Sequence, residues 1–206
     1  MKPSVRRTVL IAVLTAGVLA LSILEKAVTA TLPLPPGVRL GLGNVLVLFA
    51  AAALGLPSAL IITLLKAGFA FLTGGAVAGL LSLSGGVLSV LVMTAALKLF
   101  KKKLSYIGVS ALGAVAHNLG QLLAVSLTVG SGVYWALAPV LLVSGVAFGA
   151  VTGLTLNAVM PALKRFMPEK GTQGTQGAQG AQGAEKGPEA GGQGPGKESA
   201  APITKE

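Results

Sequence analysis

A few polar side chains interrupt the long apolar runs of this sequence, and their types and spacing predict a binding site. Lys66 lies in the middle of ALIITLLKAGFAF, and His117, Asn118 and Gln121 lie together within GAVAHNLGQLL. In a helix, residues three or four positions apart share a face, so all three polar residues of the second group would point the same way. Polar and ionisable groups are costly inside a membrane, and those present there usually carry function.

Further polar residues lie near the ends of the apolar runs. Glu25 and Lys26 end the first run, Arg39 opens the second, and Asn44 lies just over one turn deeper. We predict that the pocket is open to the exterior and binds a small molecule. Its predicted residues are Glu25, Arg39, Asn44, Lys66, His117, Asn118 and Gln121. The two basic residues favour an anionic or strongly polar ligand, although Glu25 would neutralise one of them.

Simpler roles are open for the same residues. Glu25, Lys26 and Arg39 also suit anchors at the membrane surface, the role that we prefer for Lys26. Asn118 and Gln121 would equally serve as hydrogen-bonding links to neighbouring helices.

Catalytic and metal-binding chemistry finds few suitable residues. The sequence has one histidine, no cysteine and no aspartate, since all six acidic residues are glutamates, so a transition-metal site would lack ligands. Glu25 is the only acidic residue among the apolar runs, which leaves no Ser-His-carboxylate set. The nearest approach to a P-loop, Gly196-Lys197, is followed by Glu198 instead of serine or threonine. We therefore expect no enzyme activity, no metal and no cofactor.

The composition indicates an integral membrane protein. Hydrophobic residues make up 53% of the 206 residues, charged residues make up 11%, and the mean hydropathy is +0.81. Soluble domains carry about 25% charged residues, so this chain has too little charge to cover a water-facing surface. The net charge of +10 does not indicate a nucleic-acid partner, because the basic residues lie at the ends of apolar runs, where membrane topology places them.

The apolar runs predict an all-α fold with six transmembrane helices. We place the spans at 8–24, 40–54, 57–72, 76–99, 107–128 and 134–156. A helix needs about 20 residues to cross the hydrocarbon core, so the second and third spans are short. If these two form one re-entrant element, the chain crosses the membrane five times.

The distribution of basic residues favours six crossings with both termini in the cytoplasm. Ten lysines and arginines then lie inside and two, Lys26 and Arg39, lie outside, the pattern of a multi-pass protein of the bacterial inner (plasma) membrane. Five crossings would move either the lysine cluster at 101–103 or the C-terminal basic group to the wrong side. A cleavable signal ending near Ala30 is an alternative, but the apolar run is long for one.

The chain divides into a transmembrane domain, residues 1–168, and a cytoplasmic tail, residues 169–206. The tail is rich in glycine, glutamine and alanine, and its only bulky apolar residue is Ile203. Such a segment cannot bury enough apolar surface to offset the entropy lost on folding, so we expect it to be disordered.

Small residues on the first span predict a surface for a partner helix. Ala12, Ala16 and Ala20 recur at four-residue spacing and would form one smooth stripe. Such stripes allow close approach of a second transmembrane helix.

Three motifs in this sequence resemble those of one bacterial membrane family. They are PGVRLGLGN at 36–44, GGVLS at 85–89 with Met93, and GAVAHNLGQL at 113–122. The family is called the Gx transporter family, or heptaprenyl diphosphate synthase component I, and the likeness covers about residues 8–165. Gly43 and Lys66 depart from the family pattern, in which alanine and arginine are expected.

This family is similar to the substrate-binding S components of energy-coupling factor transporters. The similarity implies an S-component-like bundle of six helices with an outward-facing site, and a transmembrane coupling subunit and ATPases as partners. In S components an alanine stripe on the first helix docks to the coupling subunit, and Ala12, Ala16 and Ala20 fit that role.

The two family names imply different functions. Prenyl diphosphate synthases bind Mg²⁺-diphosphate through aspartate-rich motifs, because hard cations need clustered carboxylates, and this sequence has no aspartate. We therefore expect the substrate-binding membrane subunit of a small-molecule transporter, dependent on a partner for energy. The alternative is the non-catalytic component I of heptaprenyl diphosphate synthase, acting in isoprenoid or menaquinone side-chain synthesis with a soluble prenyl synthase subunit. A scaffold for membrane redox proteins is a third possibility.

Overall fold

The computed structural model describes residues 3–33, 38, 40–100, 103–130 and 132–165. Within these ranges the chain forms helices and turns, without a strand. The elements are α1 (Pro3–Ala30), α2 (Asn44–Ala53), α3 (Leu56–Phe100), α4 (Tyr106–Val129), a 3₁₀ helix (Gly132–Leu137) and α5 (Ala138–Arg165). The fold is therefore all-α, as predicted. The predicted disordered tail, 169–206, lies outside the described residues.

Several of these helices are suited to crossing a membrane. Among the described residues, four are long and apolar enough: Val5–Ala30, Leu56–Phe100, Tyr106–Thr128 and Tyr134–Leu163. α2 is also apolar but has only 10 residues, which gives a length of about 15 Å, half the thickness of the hydrocarbon core. The protein thus has the character of a multi-pass membrane protein. Six complete crossings and cytoplasmic termini stay predictions.

α3 is too long for a single crossing and turns back at Gly75. Its 45 residues would extend about 68 Å as one straight helix, more than twice the hydrocarbon thickness. At Gly75 the backbone has φ 79° and ψ −177°, a conformation open almost only to glycine. The turn divides α3 into a first arm, residues 56–74, and a second arm, residues 76–100.

The two arms of α3 pack against each other as an antiparallel hairpin. A Cβ on Gly79 would lie 2.8 Å from the Phe71 Cβ, and a Cβ on Gly86 would lie 2.6 Å from the Thr63 Cγ2. In the sequence, the midpoint of each pair lies at Gly75 or next to it. The two arms therefore run in opposite directions. The arms correspond to the third and fourth predicted spans.

Close approaches at glycine show the direction of the other helices. In each neighbouring pair of helices, the residue numbers of the contacts increase along one helix and decrease along the other. The contacts are Gly17 with Leu46 and Gly43 with Ser22 between α1 and α2, Gly113 with Ser89 and Gly120 with Ser84 between α4 and the second arm, and Gly149 with Ala111 and Gly153 with Ile107 between α5 and α4. These helices are therefore antiparallel to their neighbours.

α1 and the first arm of α3 run in the same direction. An Arg7 guanidinium nitrogen donates a hydrogen bond of 2.9 Å to the Ser58 Oγ, and the Lys26 Nζ donates one of 3.1 Å to the Thr73 Oγ1. The start of α1 therefore lies beside the start of the first arm, and the end of α1 lies near the Gly75 turn.

α2 forms the centre of the core. Its side chains from Val47 to Ala51 are buried, and they belong to one cluster with side chains of the surrounding helices. That cluster includes Val18 from α1, Ile62 and Val90 from α3, Val109 from α4 and Leu156 from α5. One side of α2, at Ala52, is exposed, and its first residue, Asn44, is partly buried.

The second predicted span, 40–54, is longer than the helix observed there. α2 begins only at Asn44, and residues 40–43 are not helical. Gly43 is buried and Leu40 and Gly41 line a small cavity, which are the settings in which membrane proteins tolerate non-helical backbone.

Candidate functional site

A tight turn at Gly41 delivers the chain to α2. Gly41 has φ +75°, a left-handed conformation that residues with a Cβ rarely adopt. Its backbone N–H donates a hydrogen bond of 2.9 Å to the Glu25 Oε1, and its carbonyl accepts one of 2.9 Å from the Asn44 N–H. Glu25 is 7% exposed. This carboxylate of α1 therefore holds the turn that precedes α2, which is not the position of a surface anchor.

Lys66 and Asn44 meet at the first residue of α2. The Lys66 Nζ donates a hydrogen bond of 2.9 Å to the Asn44 Oδ1, and the lysine side chain is half-buried. The N-terminus of a helix carries a partial positive charge, so an ammonium group beside it increases the positive potential. Glu25, which holds the preceding turn, supplies the opposing negative charge.

A cavity of about 370 Å³ lies beside this pair. Glu25 and Lys26 of α1, Asn44 of α2, Lys66 of α3 and His117 of α4 contribute its polar wall. Ligand pockets in proteins are typically 300–1,000 Å³ and combine apolar walls with a few polar groups. The cavity therefore has the size and the chemistry of a small-molecule site.

Two smaller cavities continue from the same residues. One of about 20 Å³ reaches Ser110 and Thr152, and one of about 10 Å³ reaches Thr63. Asn44 and His117 border both of them and the 370 Å³ cavity as well. A space of 10–15 Å³ holds one water molecule, so water-sized polar space extends past these two residues into the bundle.

The three polar residues of α4 that we predicted to share a face lie in different surroundings. His117 is 4% exposed and lines the 370 Å³ cavity. The Asn118 Nδ2 instead donates a hydrogen bond to the Leu141 carbonyl of α5, although Asn118 also borders the 20 Å³ cavity. Consecutive residues point about 100° apart around a helix, so these neighbours face different helices.

Gln121 faces a different space from His117. It is buried and borders an apolar cavity of about 190 Å³, whose other walls include Leu122, Tyr134 and Leu141. We predicted Gln121 in the polar pocket, but in the structure it borders the apolar cavity. His117 and Gln121 lie one helical turn apart, and Gly85 of the second arm of α3 packs against both of them. The second arm therefore lies between the polar cavity and the apolar cavity.

The remaining predicted residues lie at the margin of the site. Arg39 lies outside the described residues. Lys26 is exposed and lies at the rim of the 370 Å³ cavity, where it contacts Thr73. Lys26 therefore combines the expected surface position with a place in the cavity wall.

The cavity wall also contains three hydroxyl residues that the sequence pattern did not predict: Ser22, Thr29 and Ser82. The Ser22 and Thr29 hydroxyls donate to carbonyls of their own helix, Val18 at 2.7 Å and Glu25 at 2.8 Å. Such local bonds are common wherever serine or threonine occurs in a helix, so the sequence pattern gives no sign that these residues face a ligand.

The alanine stripe lies on the outer surface of α1. Ala12, Ala16 and Ala20 are all exposed, whereas Leu14 and Val18 on the opposite side are buried. Within the described part of the chain, the stripe is thus accessible to another helix or to lipid. Its predicted docking role stays a prediction.

Comparison with known proteins agrees with the family indicated by the motifs. The model for heptaprenyl diphosphate synthase component I matches residues 14–159, a stretch from the middle of α1 nearly to the end of α5. No curated protein and no solved structure shows a significant match. The matched stretch includes Glu25, Asn44, Lys66 and His117, and it covers well over half of the chain. This chain belongs to the heptaprenyl diphosphate synthase component I family.

Proposed function

We propose that this chain is the non-catalytic membrane component of a heptaprenyl diphosphate synthase and acts with a separate catalytic subunit. The family match over residues 14–159 carries the proposal. It favours this function, the alternative in the sequence analysis, over the transporter subunit that we expected first. The lack of aspartate supports a non-catalytic role, because Mg²⁺-diphosphate needs clustered carboxylates and Glu25 is the only acidic residue before Glu169.

We place the chain in the bacterial cell membrane with six crossings and both termini in the cytoplasm. The alternating directions of the helices and the hairpin at Gly75 support this topology. In such an arrangement the short α2 and residues 40–43 together make the second crossing, with the irregular backbone at the cavity wall.

The basic end of the bundle suits a cytoplasmic partner. We define it as the end opposite the Gly75 turn, with the exposed residues Arg6, Arg7, Lys98, Lys103 and Arg165. Their side chains reach the cytoplasmic surface in the proposed topology, as the positive-inside rule requires. A soluble synthase subunit with an acidic surface would be attracted to this end, since complementary charge steers association.

A second candidate function is substrate capture for a transporter. The 370 Å³ polar cavity favours it, because a membrane anchor alone needs no such space. The exposed alanine stripe on α1 would then face a coupling subunit. The two functions differ in their partners, and an experiment on partners separates them.

Purification of the tagged chain from its native membrane in mild detergent tests the proposal. We expect a soluble prenyl diphosphate synthase subunit to co-purify, with prenyl-transfer activity in the eluate. Recovery of a membrane coupling subunit with ATPases instead would contradict the proposal and support the second candidate.

Charge reversal provides a matched control for the same purification. Lys98→Glu combined with Lys103→Glu should reduce recovery of the synthase subunit, because it removes attraction at the basic end. Thr31→Glu adds a negative charge at the opposite end of the bundle, just after α1, and should leave recovery unchanged. Equal loss with both would indicate a general effect of charge.

A further inference from the structure

Two cavities of opposite character lie on either side of one side chain, Leu81. The 370 Å³ polar cavity and the 190 Å³ apolar cavity share Leu81 as a wall. The adjacent Ser82 borders the polar cavity alone. On the facing helix, His117 and Gln121 lie one turn apart and border the polar and the apolar cavity respectively. The two spaces are therefore neighbours along the same pair of helices.

The polar cavity carries an excess of positive charge. Among the described residues, two lysines, Lys26 and Lys66, line it, against one carboxylate, Glu25. The Glu25 Oε1 accepts the Gly41 N–H, which holds this single carboxylate at the turn before α2. Hydrogen bonds between an ammonium and an anionic group are among the strong ones, so an anionic group of a ligand would bind favourably beside Lys66.

The apolar cavity has the dimensions of a short hydrocarbon chain. Its volume of about 190 Å³ is more than ten times the 10–15 Å³ that holds one water molecule, which leaves room for a short hydrocarbon chain. Among the described residues of its wall, most are leucine or valine, and Gln121 and Tyr134 are the polar ones. Cavities of this composition exclude water and accept apolar ligands.

We propose that the two cavities form one site for a small amphipathic anion. The anionic group lies beside Lys66 in the polar cavity. The short apolar chain passes Leu81 and fills the apolar cavity. Leu81 is partly exposed, and a change of its rotamer is enough to let a chain pass between the two spaces.

Binding to the purified full-length chain in nanodiscs tests this site, with radiolabelled geranyl diphosphate as the probe. The choice of a prenyl diphosphate rests on the proposed function. We expect saturable binding that inorganic diphosphate displaces only at higher concentration, because it lacks the chain, and that geraniol displaces poorly, because it lacks the charge. Dioleoylphosphatidylglycerol should not compete, since its two long chains exceed the apolar cavity.

Variants at the two ends of the site separate its two contributions. Lys66→Met should weaken geranyl diphosphate binding about tenfold or more, and Lys66→Arg, which keeps the charge, should retain most of the affinity. Leu81→Trp should close the passage and weaken geranyl diphosphate about tenfold, with less than about twofold change for inorganic diphosphate. Leu91→Trp places the same bulk on an exposed part of the same arm and should change neither.

Leu81→Ala tests the same position with a smaller side chain, so the test does not depend on the folding of Leu81→Trp. It joins the two cavities and should strengthen binding of the longer farnesyl diphosphate relative to geranyl diphosphate. The proposal is wrong if binding is not saturable, if phosphatidylglycerol competes equally, or if Leu81→Trp weakens both diphosphates alike.

The outcomes for the site and for the proposed function are distinct. If geranyl diphosphate binds but no synthase subunit co-purifies, the proposed site is supported and the proposed function is contradicted. A co-purifying subunit without such binding retains the function and contradicts the site.

Discussion

The Lys66 Nζ donates a hydrogen bond of 2.9 Å to the Asn44 Oδ1, across 22 positions in the sequence. The bond joins the first arm of α3 to the first residue of α2 at the wall of the polar cavity. It therefore contributes both to the position of α2 and to the charge that a ligand meets.

The coupling between Lys66 and Asn44 can be measured with a double-mutant cycle. Hydrogen bonds to charged groups contribute about 1.5–3 kcal/mol, and partial exposure of Lys66 reduces this. We expect Lys66→Met and Asn44→Leu to couple by about 1 kcal/mol in the free energy of unfolding in detergent. Purely additive effects would mean that the bond does not hold α2 in place.

The contact between Glu25 and the Gly41 N–H should be important for stability. Glu25→Ala removes the acceptor of a part-buried N–H, a loss of about 1 kcal/mol, at the lower end of the range for fully buried groups. Glu25→Gln keeps an acceptor oxygen and should cost much less. Thermal unfolding of the two variants measures the difference. If Glu25→Gln is as damaging as Glu25→Ala, the negative charge is what matters, through another contact.

Substitution of Gly41 isolates the cost of the turn itself. A Cβ at this position would approach no atom closer than 3.5 Å, so Gly41→Ala creates no clash. Its φ of +75° still disfavours alanine, by about 1–2 kcal/mol. We expect a lower unfolding temperature with the cavity intact. An unchanged unfolding temperature would show that the turn is not left-handed.

Single cysteines test the six-crossing topology, because the sequence has none of its own. Thr31→Cys at the end of α1 and Ala76→Cys beside the Gly75 turn should react with a membrane-impermeant maleimide in intact cells. Lys103→Cys, exposed at the basic end, should react only after lysis. External labelling of Lys103→Cys would overturn the topology.

The exposed alanine stripe can be tested by adding bulk. Ala16→Trp should prevent close approach of any helix that docks on α1 and lower recovery of a membrane partner, with insertion unaffected. Val143→Trp, on the exposed surface of α5, serves as the control. If both variants recover the partner as well as the unchanged chain does, the stripe is not a docking surface.

The sequence predicts the long apolar helices well, because hydrophobic runs and a glycine at a turn are local signals. The two arms of α3 on either side of Gly75 are an example. The start of α2 is not predictable in the same way. It depends on the Gly41 N–H reaching Glu25, 16 positions earlier, and only the assembled bundle brings these groups together.

The site was predictable in part for the same reason. Polar residues in apolar runs identify Lys66 and His117, and both line the polar cavity. The directions of Asn118 and Gln121 depend on which neighbour packs against each face of α4, and residue spacing does not contain that information. Hydroxyls such as Ser82 are too common in membrane helices to stand out.

Prenyl diphosphate synthase activity in separated membrane and soluble fractions tests the central claim most directly. Cells that contain this chain should have the activity in the membrane fraction. Cells without it, or with Lys98→Glu and Lys103→Glu, should release the activity to the soluble fraction, with Thr31→Glu behaving like the unchanged chain. Activity that stays soluble, or stays membrane-bound, regardless of this chain would contradict its role as a membrane component of the synthase.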